Sequence, residues 1–233
     1  MDDTLLTIPP GNLLLAFIPA LAVIGVLYRW SLAAGTALYA LARMLGQLLL
    51  IGYVLVYIFD TGHPLIIAAV MLVMLVAASW ISLRPLKQRR AGLYARAVAA
   101  IAAGGGITLL IVTQGVLDLR PWYWPRYFVP LAGMIFASAM NAVSLAAERF
   151  EAESANRIPY NQARNTAFGA SLIPVINSLL AVGLVSLPGM MTGQILSGVS
   201  PMVAVRYQIV VMCMLFAAAG LSAAGYLFSL RPR

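Results

Sequence analysis

Histidine and cysteine are almost absent from this chain of 233 residues, which has His63, Cys213 and no other of either kind. A lone cysteine excludes a disulfide framework, and together the two residues cannot form the ligand sets of a structural zinc site. Charge is scarce as well: Asp, Glu, Lys and Arg make up 9% of the chain, against about 25% in soluble domains. That shortage excludes a soluble globular domain, and 62% apolar residues exclude an intrinsically disordered one. The apolar runs lack the period-two alternation of a transmembrane β-barrel. The single lysine, Lys87, follows Arg84-Pro85-Leu86 and precedes Gln88, so there is no phosphate-binding G-x-x-x-x-G-K-[ST] loop.

What the chain does have is long apolar segments. A bilayer core about 30 Å thick needs about 20 apolar helical residues. Seven segments meet or approach that length: Asn12–Trp30, Leu38–Phe59, Pro64–Leu83, Ala97–Leu117, Tyr127–Ala147, Phe168–Ile195 and Tyr207–Leu230. The fold class expected is all-α, a polytopic membrane protein with about seven transmembrane helices in one domain, residues 1–233. The first segment follows Met1-Asp2-Asp3 and lacks the basic start of a secretory signal, so it reads as an uncleaved membrane helix.

The net charge of +8 is a topological signal rather than a sign of nucleic-acid binding. With the N-terminus outside, seven spans place Arg29, Arg43, Arg84, Lys87, Arg89, Arg90, Arg96, Arg149, Arg157, Arg164, Arg231 and Arg233 on the inner side. Only Arg120, Arg126 and Arg206 fall outside. Cytoplasmic loops collect Lys and Arg, so the N-terminus is expected outside and the C-terminus in the cytoplasm. Trp122, Tyr123 and Trp124 beside Pro121 and Pro125 read as an outer interfacial belt.

The sixth segment is irregular. It is long for one perpendicular helix and holds Pro174 and then Pro188-Gly189. Proline removes a backbone donor and clashes with the preceding turn, which predicts a kink or break near Leu187–Gly189. Two readings are open: a structural kink, or a break that lines a pathway, since irregular backbone at membrane depth must face protein or a cavity. The small residues Gly104-Gly105-Gly106, Gly133, Ser138 and Ala142 read as helix-packing positions.

Catalytic chemistry is not in evidence. All seven acids (Asp2, Asp3, Asp60, Asp118, Glu148, Glu151, Glu153) fall in loops or termini, and no serine has a base beside it. His63 reads as a solvated loop residue or, failing that, a ligand without a partner. Arg43 reads as snorkelling to the interface or as a charged group within the membrane. Without a membrane carboxylate the chain is a poor self-powered carrier, so active transport would draw its energy from another chain. The polar stretch Glu148–Asn165 reads either as a solvated loop or as a docking surface for a cytoplasmic motor.

At the sixth and seventh segments the sequence resembles a known family. The string Gly183-Leu184-Val185-Ser186-Leu187-Pro188-Gly189-Met190-Met191-Thr192-Gly193 is followed by Gly198, Pro201, Ala204-Val205 and Tyr207-Gln208-Ile209. Upstream lie Ile173-Pro174, Asn177-Ser178, Pro130-Leu131-Ala132-Gly133-Met134, Asn141, Arg43, Gln47, Gly52-Tyr53-Val54-Leu55 and Ile58-Phe59. From about Leu38 to the C-terminus the chain is similar to the FetB-type ABC permeases, iron exporters related to plant aluminium-tolerance permeases.

The resemblance implies a permease of the bacterial inner membrane that exports iron or another metal ion and has no catalytic site of its own. It implies a homodimer paired with ATP-binding subunits, which use the ATP; this chain would bind no cofactor. Pathway or hinge candidates are Met134, Asn141, Asn177, Ser178, Ser186, Pro188, Gly189, Met190, Met191 and Thr192. Docking candidates are Glu148, Arg149, Glu151, Arg157 and Arg164. No residue set is assigned to a metal, and the methionines read as packing or as soft ligands. Family members carry a longer loop with a Leu-Gly-Ala-Thr-like motif after the fifth span. Here Ala167-Phe168-Gly169-Ala170-Ser171 stands nearest to it, as a remnant or as the start of the sixth span. Rival readings are an ABC permease for a non-metal substrate such as a nucleotide-sugar, and a passive channel or membrane scaffold.

Overall fold

The computed structural model describes residues 9–61, 63–86 and 90–232, without the side chains of Pro10, Asp60, Thr61 and Arg90. Asp2, Asp3, Lys87, Arg89 and Arg233, all used in the charge reading, lie outside the described residues. Regular structure among the described residues is helical: α1 Pro10–Leu15, α2 Phe17–Arg29, α3 Ala34–Thr61, α4 Pro64–Ser82, α5 Arg90–Leu110, a π-helical continuation Ile111–Val116, α6 Pro125–Ala155, α7 Tyr160–Ala181, α8 Gly189–Leu196 and α9 Pro201–Ser229.

Six stretches are long and apolar enough to cross a membrane: Gly11–Arg29, Ala34–Phe59, Pro64–Ser82, Ala91–Val116, Pro125–Ala155 and Pro201–Ser229. They match six of the seven expected segments. The expected continuous span Phe168–Ile195 is not one helix. It is divided between α7 and α8, with residues 182–188 between them. The break opens earlier than the expected Leu187–Gly189, and Pro188 is the N-cap of α8 with extended backbone angles of −60-odd and +145° (φ −63, ψ 145).

The chain separates into two compact units, Met1–Asp60 and Thr61–Arg233. In the first, α2 ends in an αL cap: Ser31 takes φ 56, and the Leu32 N–H donates to the Leu27 carbonyl at 2.9 Å. Its side chains are largely exposed, Tyr28, Leu49 and Tyr53 among them. Arg43 is also exposed, in the third turn of α3.

The second unit packs around α9. Gly104 of α5 lies against Ser222, and Gly225 lies against Ala100, so α5 runs antiparallel to α9. Ser138 of α6 donates to the Leu215 carbonyl at 2.9 Å. Ala142 and Ala146 share a buried cluster with Ala219 and Ala223, so α6 runs parallel to α9. On α7, Leu172 reaches Gly220 and the Tyr160 hydroxyl donates to the Leu227 carbonyl at 2.9 Å, so α7 is antiparallel. Alanine, glycine and serine at these seams let helix backbones approach where lipid offers no hydrophobic drive. Gly105 against Phe136, Gly133 against Met74 and the fully buried Ala139 fit the same packing role.

The polar stretch after the fifth span is not a loop. α6 continues through Glu148–Ala155, and α7 begins at Tyr160. Alanine, glutamate and arginine are strong helix formers, and Arg149 pairs with Glu153 one turn on. At 1.5 Å per residue, α6 is about 46 Å long, well beyond a bilayer core of about 30 Å. The helical hairpin closes through a Schellman cap: Arg157 takes φ 59, its N–H donates to Ser154, and the Ile158 N–H donates to the Glu153 carbonyl.

Candidate functional site

The break between α7 and α8 begins where α7 runs out of regular backbone. Gly183 takes φ +82, a conformation that costs an L side chain but not glycine. This lets the chain fold back on itself. The N–H groups of Leu184, Val185 and Ser186 converge on the Ala181 carbonyl at 3.2, 2.8 and 3.2 Å, and the Gly183 N–H donates to the Ser186 carbonyl at 3.0 Å. The turn thus satisfies four of its own N–H groups, those of residues 183–186, in the way irregular backbone away from water requires. α8 then runs only to Leu196. It ends in a second Schellman cap, with Gly198 at φ +85 and the Val199 N–H donating to the Gln194 carbonyl. Ser200 and Pro201 open α9.

Beside this break lies a cavity of about 530 Å³. Three helices each turn one stripe toward it at i, i+3, i+4 spacing: Met134, Ala137, Ser138, Asn141 and Leu145 from α6, Ser171, Pro174, Val175 and Ser178 from α7, and Gln208, Val211, Met212 and Leu215 from α9. Val182, Ser186, Pro188, Gly189 and Met190 complete it from the break. Discontinuity therefore does two things. It frees the end of α7 and the start of α8, and it aims both at the same space.

Seven of the ten pathway candidates line this cavity: Met134, Asn141, Ser178, Ser186, Pro188, Gly189 and Met190. Asn177, Met191 and Thr192 do not. Asn177 is exposed on α7 and Met191 is half-buried. Thr192 donates to the Pro188 carbonyl at 3.1 Å, which supports the first turn of α8. Ser178 donates to the Pro174 carbonyl at 3.0 Å, a back-bond that occupies its proton and bends a helix.

Gln208 and Met212 line the cavity and were not among the candidates. Gln208 is 5% exposed, and among the described residues its amide oxygen has no hydrogen-bond partner. The signal for Gln208 was available: an amide in the second turn of an apolar span is costly unless something meets it. Met212 had no such signal, since methionine commonly fills cores. None of the cavity-lining residues is acidic, basic, histidine or cysteine, and no cluster of three metal-ligating side chains occurs among the described residues. His63 is exposed at the start of α4.

The docking candidates gather at the α6–α7 hairpin. Glu148, Arg149, Glu151 and Arg157 are exposed, and Arg164 is half-buried. The Arg164 guanidinium stands 5.7 Å from the centre of the Tyr160 ring and donates to the Asn165 side-chain oxygen at 2.9 and 3.1 Å. Tyr160 meets Phe150 edge-on at 5.9 Å and is tied to α9 through Leu227. A depression of about 440 Å³ opens beside it, lined by Arg164, Asn165, Phe168 and the end of α9. The segment Ala167-Phe168-Gly169-Ala170-Ser171 lies in the middle of α7, with Ala167 fully buried.

Comparison with known proteins gives a family match along nearly the whole chain. The model of the uncharacterised protein family UPF0014 matches residues 10–159 and 155–232. A UPF0014 membrane protein of Synechocystis is 35% identical over 194 residues, 76% of this chain and 74% of its own length. The probable iron export permease protein FetB of Escherichia coli is 34% identical over 205 residues, covering 79% and 76%. The Arabidopsis thaliana protein ALUMINUM SENSITIVE 3 is 32% identical over 203 residues, covering 81% and 73%. No solved structure matches the chain.

Proposed function

The chain belongs to the UPF0014 family of multi-pass membrane proteins, and from that premise we propose that it is the permease subunit of an ABC transporter that exports iron or another metal. One observation carries the reading: a broken helix pair, α7 and α8, opens on a cavity between packed spans. Substrate sites of transporters are commonly built where membrane helices are interrupted. A probable iron export permease and an aluminium-sensitivity protein among the relatives supply the metal.

In this reading residues 1–233 form one permease domain in the inner membrane, with the N-terminus outside and the C-terminus in the cytoplasm. Positive-inside bias supports that orientation. Arg149, Arg157, Arg164 and Arg231 end α6, α7 and α9 at one pole of the second unit, while Arg120, Arg126 and Arg206 stand at the other. Two copies would pair about a twofold axis and dock two ATP-binding subunits, which consume the ATP. The α6–α7 hairpin is the docking element: it extends beyond the bilayer core and carries Glu148, Arg149, Glu151, Arg157 and Arg164. Tyr160 then joins the motor to α9, because α7 starts in the hairpin and ends at the cavity. Rocking of the two halves would expose the cavity first to one side and then to the other, with residues 182–188 absorbing the change.

The chain's own residues bind and orient; no bond is made or broken, and no acid or base is called for. The test is co-expression with a candidate ATP-binding subunit, reconstitution in lipid, and metal-stimulated ATP hydrolysis. Association with stimulation supports the reading. Absence of both overturns it and leaves a channel or scaffold. A second reading, a non-metal substrate, is favoured by one observation, the lack of any ionisable side chain in the cavity lining.

A further inference from the structure

The cavity and the cation that the family suggests are a poor chemical match. A bare divalent ion leaving water must recover its solvation from ligands, and iron is ordinarily held by imidazole and carboxylate. The lining offers neither. A charge buried without an opposite charge costs several kcal/mol. The helix ends do not supply one, since the C-terminal end of α7 (Val182) and the N-terminal start of α8 (Pro188) both open on the cavity, and their end charges are opposite in sign. Three methionines, Met134, Met190 and Met212, make the lining soft and mostly apolar.

The polar groups that are present are neutral and few: Ser138, Asn141, Ser171, Ser178, Ser186 and Gln208. Ser138, Ser171 and Ser178 already donate to backbone carbonyls. Gln208 stands apart, because its amide oxygen is buried and has no partner among the described residues. An apolar cavity of about 530 Å³ with a few convergent neutral polar groups is the ordinary form of a site for a small organic molecule, in the range of about 300–1,000 Å³.

Resting on the permease reading above, we propose that the cavity takes an uncharged organic molecule bearing an N–H or O–H donor, which meets the Gln208 amide oxygen. A metal passes only inside such a molecule, as a neutral chelate whose outer surface is organic. The same site chemistry serves the metal-free molecule and the chelate. A bare ion is excluded by the lining.

The test uses the full chain in lipid nanodiscs, without an ATP-binding subunit, so its outcome is independent of the association and ATP-hydrolysis assay. Three probes are titrated: ferrous ion alone, a metal-free hydroxypyridinone with a ring N–H, and its neutral three-to-one complex with ferric iron. Binding of either organic probe, weakened about tenfold by Gln208→Leu, supports the proposal. Binding of the complex alone identifies the chelate as the source, and binding of the free molecule alone identifies the metal-free solute. Gln208→Leu also removes an unpaired buried amide, so the variant is expected to be at least as heat-stable as the parent, which separates lost binding from lost fold. Gln208→Glu places a carboxylate in the cavity, which still accepts from the donor of the neutral probes, and is expected to add ferrous binding to theirs. Ferrous binding by the parent chain that is lost in Met134→Leu or Met190→Leu overturns the proposal. So does failure of both organic probes to bind, or binding that Gln208→Leu leaves unchanged.

Discussion

Gly104, Gly105 and Gly106 are neighbours in one helix, yet substitution by alanine is expected to have opposite signs across them. A Cβ built on Gly104 would lie 2.5 Å from the Ser222 Oγ, 2.6 Å from its backbone nitrogen and 2.9 Å from the Leu221 carbonyl carbon. Two of these atoms are backbone and cannot swing aside, so α5 and α9 must part by about an ångström. A gap of 0.5–1 Å forfeits roughly a quarter to a half of each contact's dispersion energy along the seam. Overpacking of this kind costs about 1–3 kcal/mol, against a helix-propensity gain of about 1 kcal/mol for replacing glycine. At Gly105 the Cβ would meet the Phe136 ring at 3.2 Å, a closeness that side-chain adjustment can relieve in part. At Gly106 nothing lies within 4 Å, so only the propensity gain remains. The expected order of stability is Gly106→Ala at or above the parent, then Gly105→Ala, then Gly104→Ala, with about 1–3 kcal/mol between the extremes, since the propensity gain is common to all three. Thermal unfolding of the three purified variants in detergent, followed by tryptophan fluorescence, measures it. If Gly104→Ala proved as stable as Gly106→Ala, the α5–α9 seam would not be the close contact described.

Other perturbations follow from the same geometry. Gly183→Ala forces an L side chain to φ +82 and is expected to lower stability by about 1–2 kcal/mol, whereas Gly189→Ala, with open space around it, should be near neutral; paired melting curves distinguish them. Arg157→Gly places glycine at the φ 59 cap of α6 and should raise stability by about 1 kcal/mol while weakening ATPase association, a split that melting and pull-down report together. Tyr160→Phe removes the 2.9 Å bond to Leu227 and should cost about 1 kcal/mol; if the hairpin transmits motion through α7, it also lowers substrate-stimulated ATP hydrolysis, and unchanged coupling would remove Tyr160 from that path. Replacing Pro188 by Ala tests the hinge: unchanged transport means the break does not flex at Pro188.

Membrane character and most of the spans were legible because they depend on local composition and length. Six runs such as Pro64–Ser82 need no partner to be recognised as apolar helices. The ends of the helices were less legible. α6 runs on through Glu148–Ala155 because helix propensity and the Arg149–Glu153 pair continue after hydrophobicity stops, and hydropathy does not register either. The irregularity of the sixth segment was visible in its prolines, but its position was not: the break is set by the positive φ at Gly183 and by three N–H groups sharing the Ala181 carbonyl. For the cavity, the break motif, the neutral polar residues and the soft methionines were readable, which is why Met134, Asn141, Ser178 and Ser186 are among the candidates that line it. Gln208 was legible as a costly amide in an apolar helix, but that its oxygen is left unpaired is set by its surroundings and not by the sequence.

By itself, then, the sequence determined that this is a helical, multi-pass membrane protein whose seven acidic residues fall outside the apolar runs, because apolar run length and residue inventory are properties of the chain alone. Only the tertiary structure decided that α7 and α8 are separate helices, that three stripes from α6, α7 and α9 converge on one cavity, and that Gln208 faces it unpartnered. Those depend on which backbones approach closely enough to exclude lipid, and that is settled by small residues meeting across seams from distant parts of the chain.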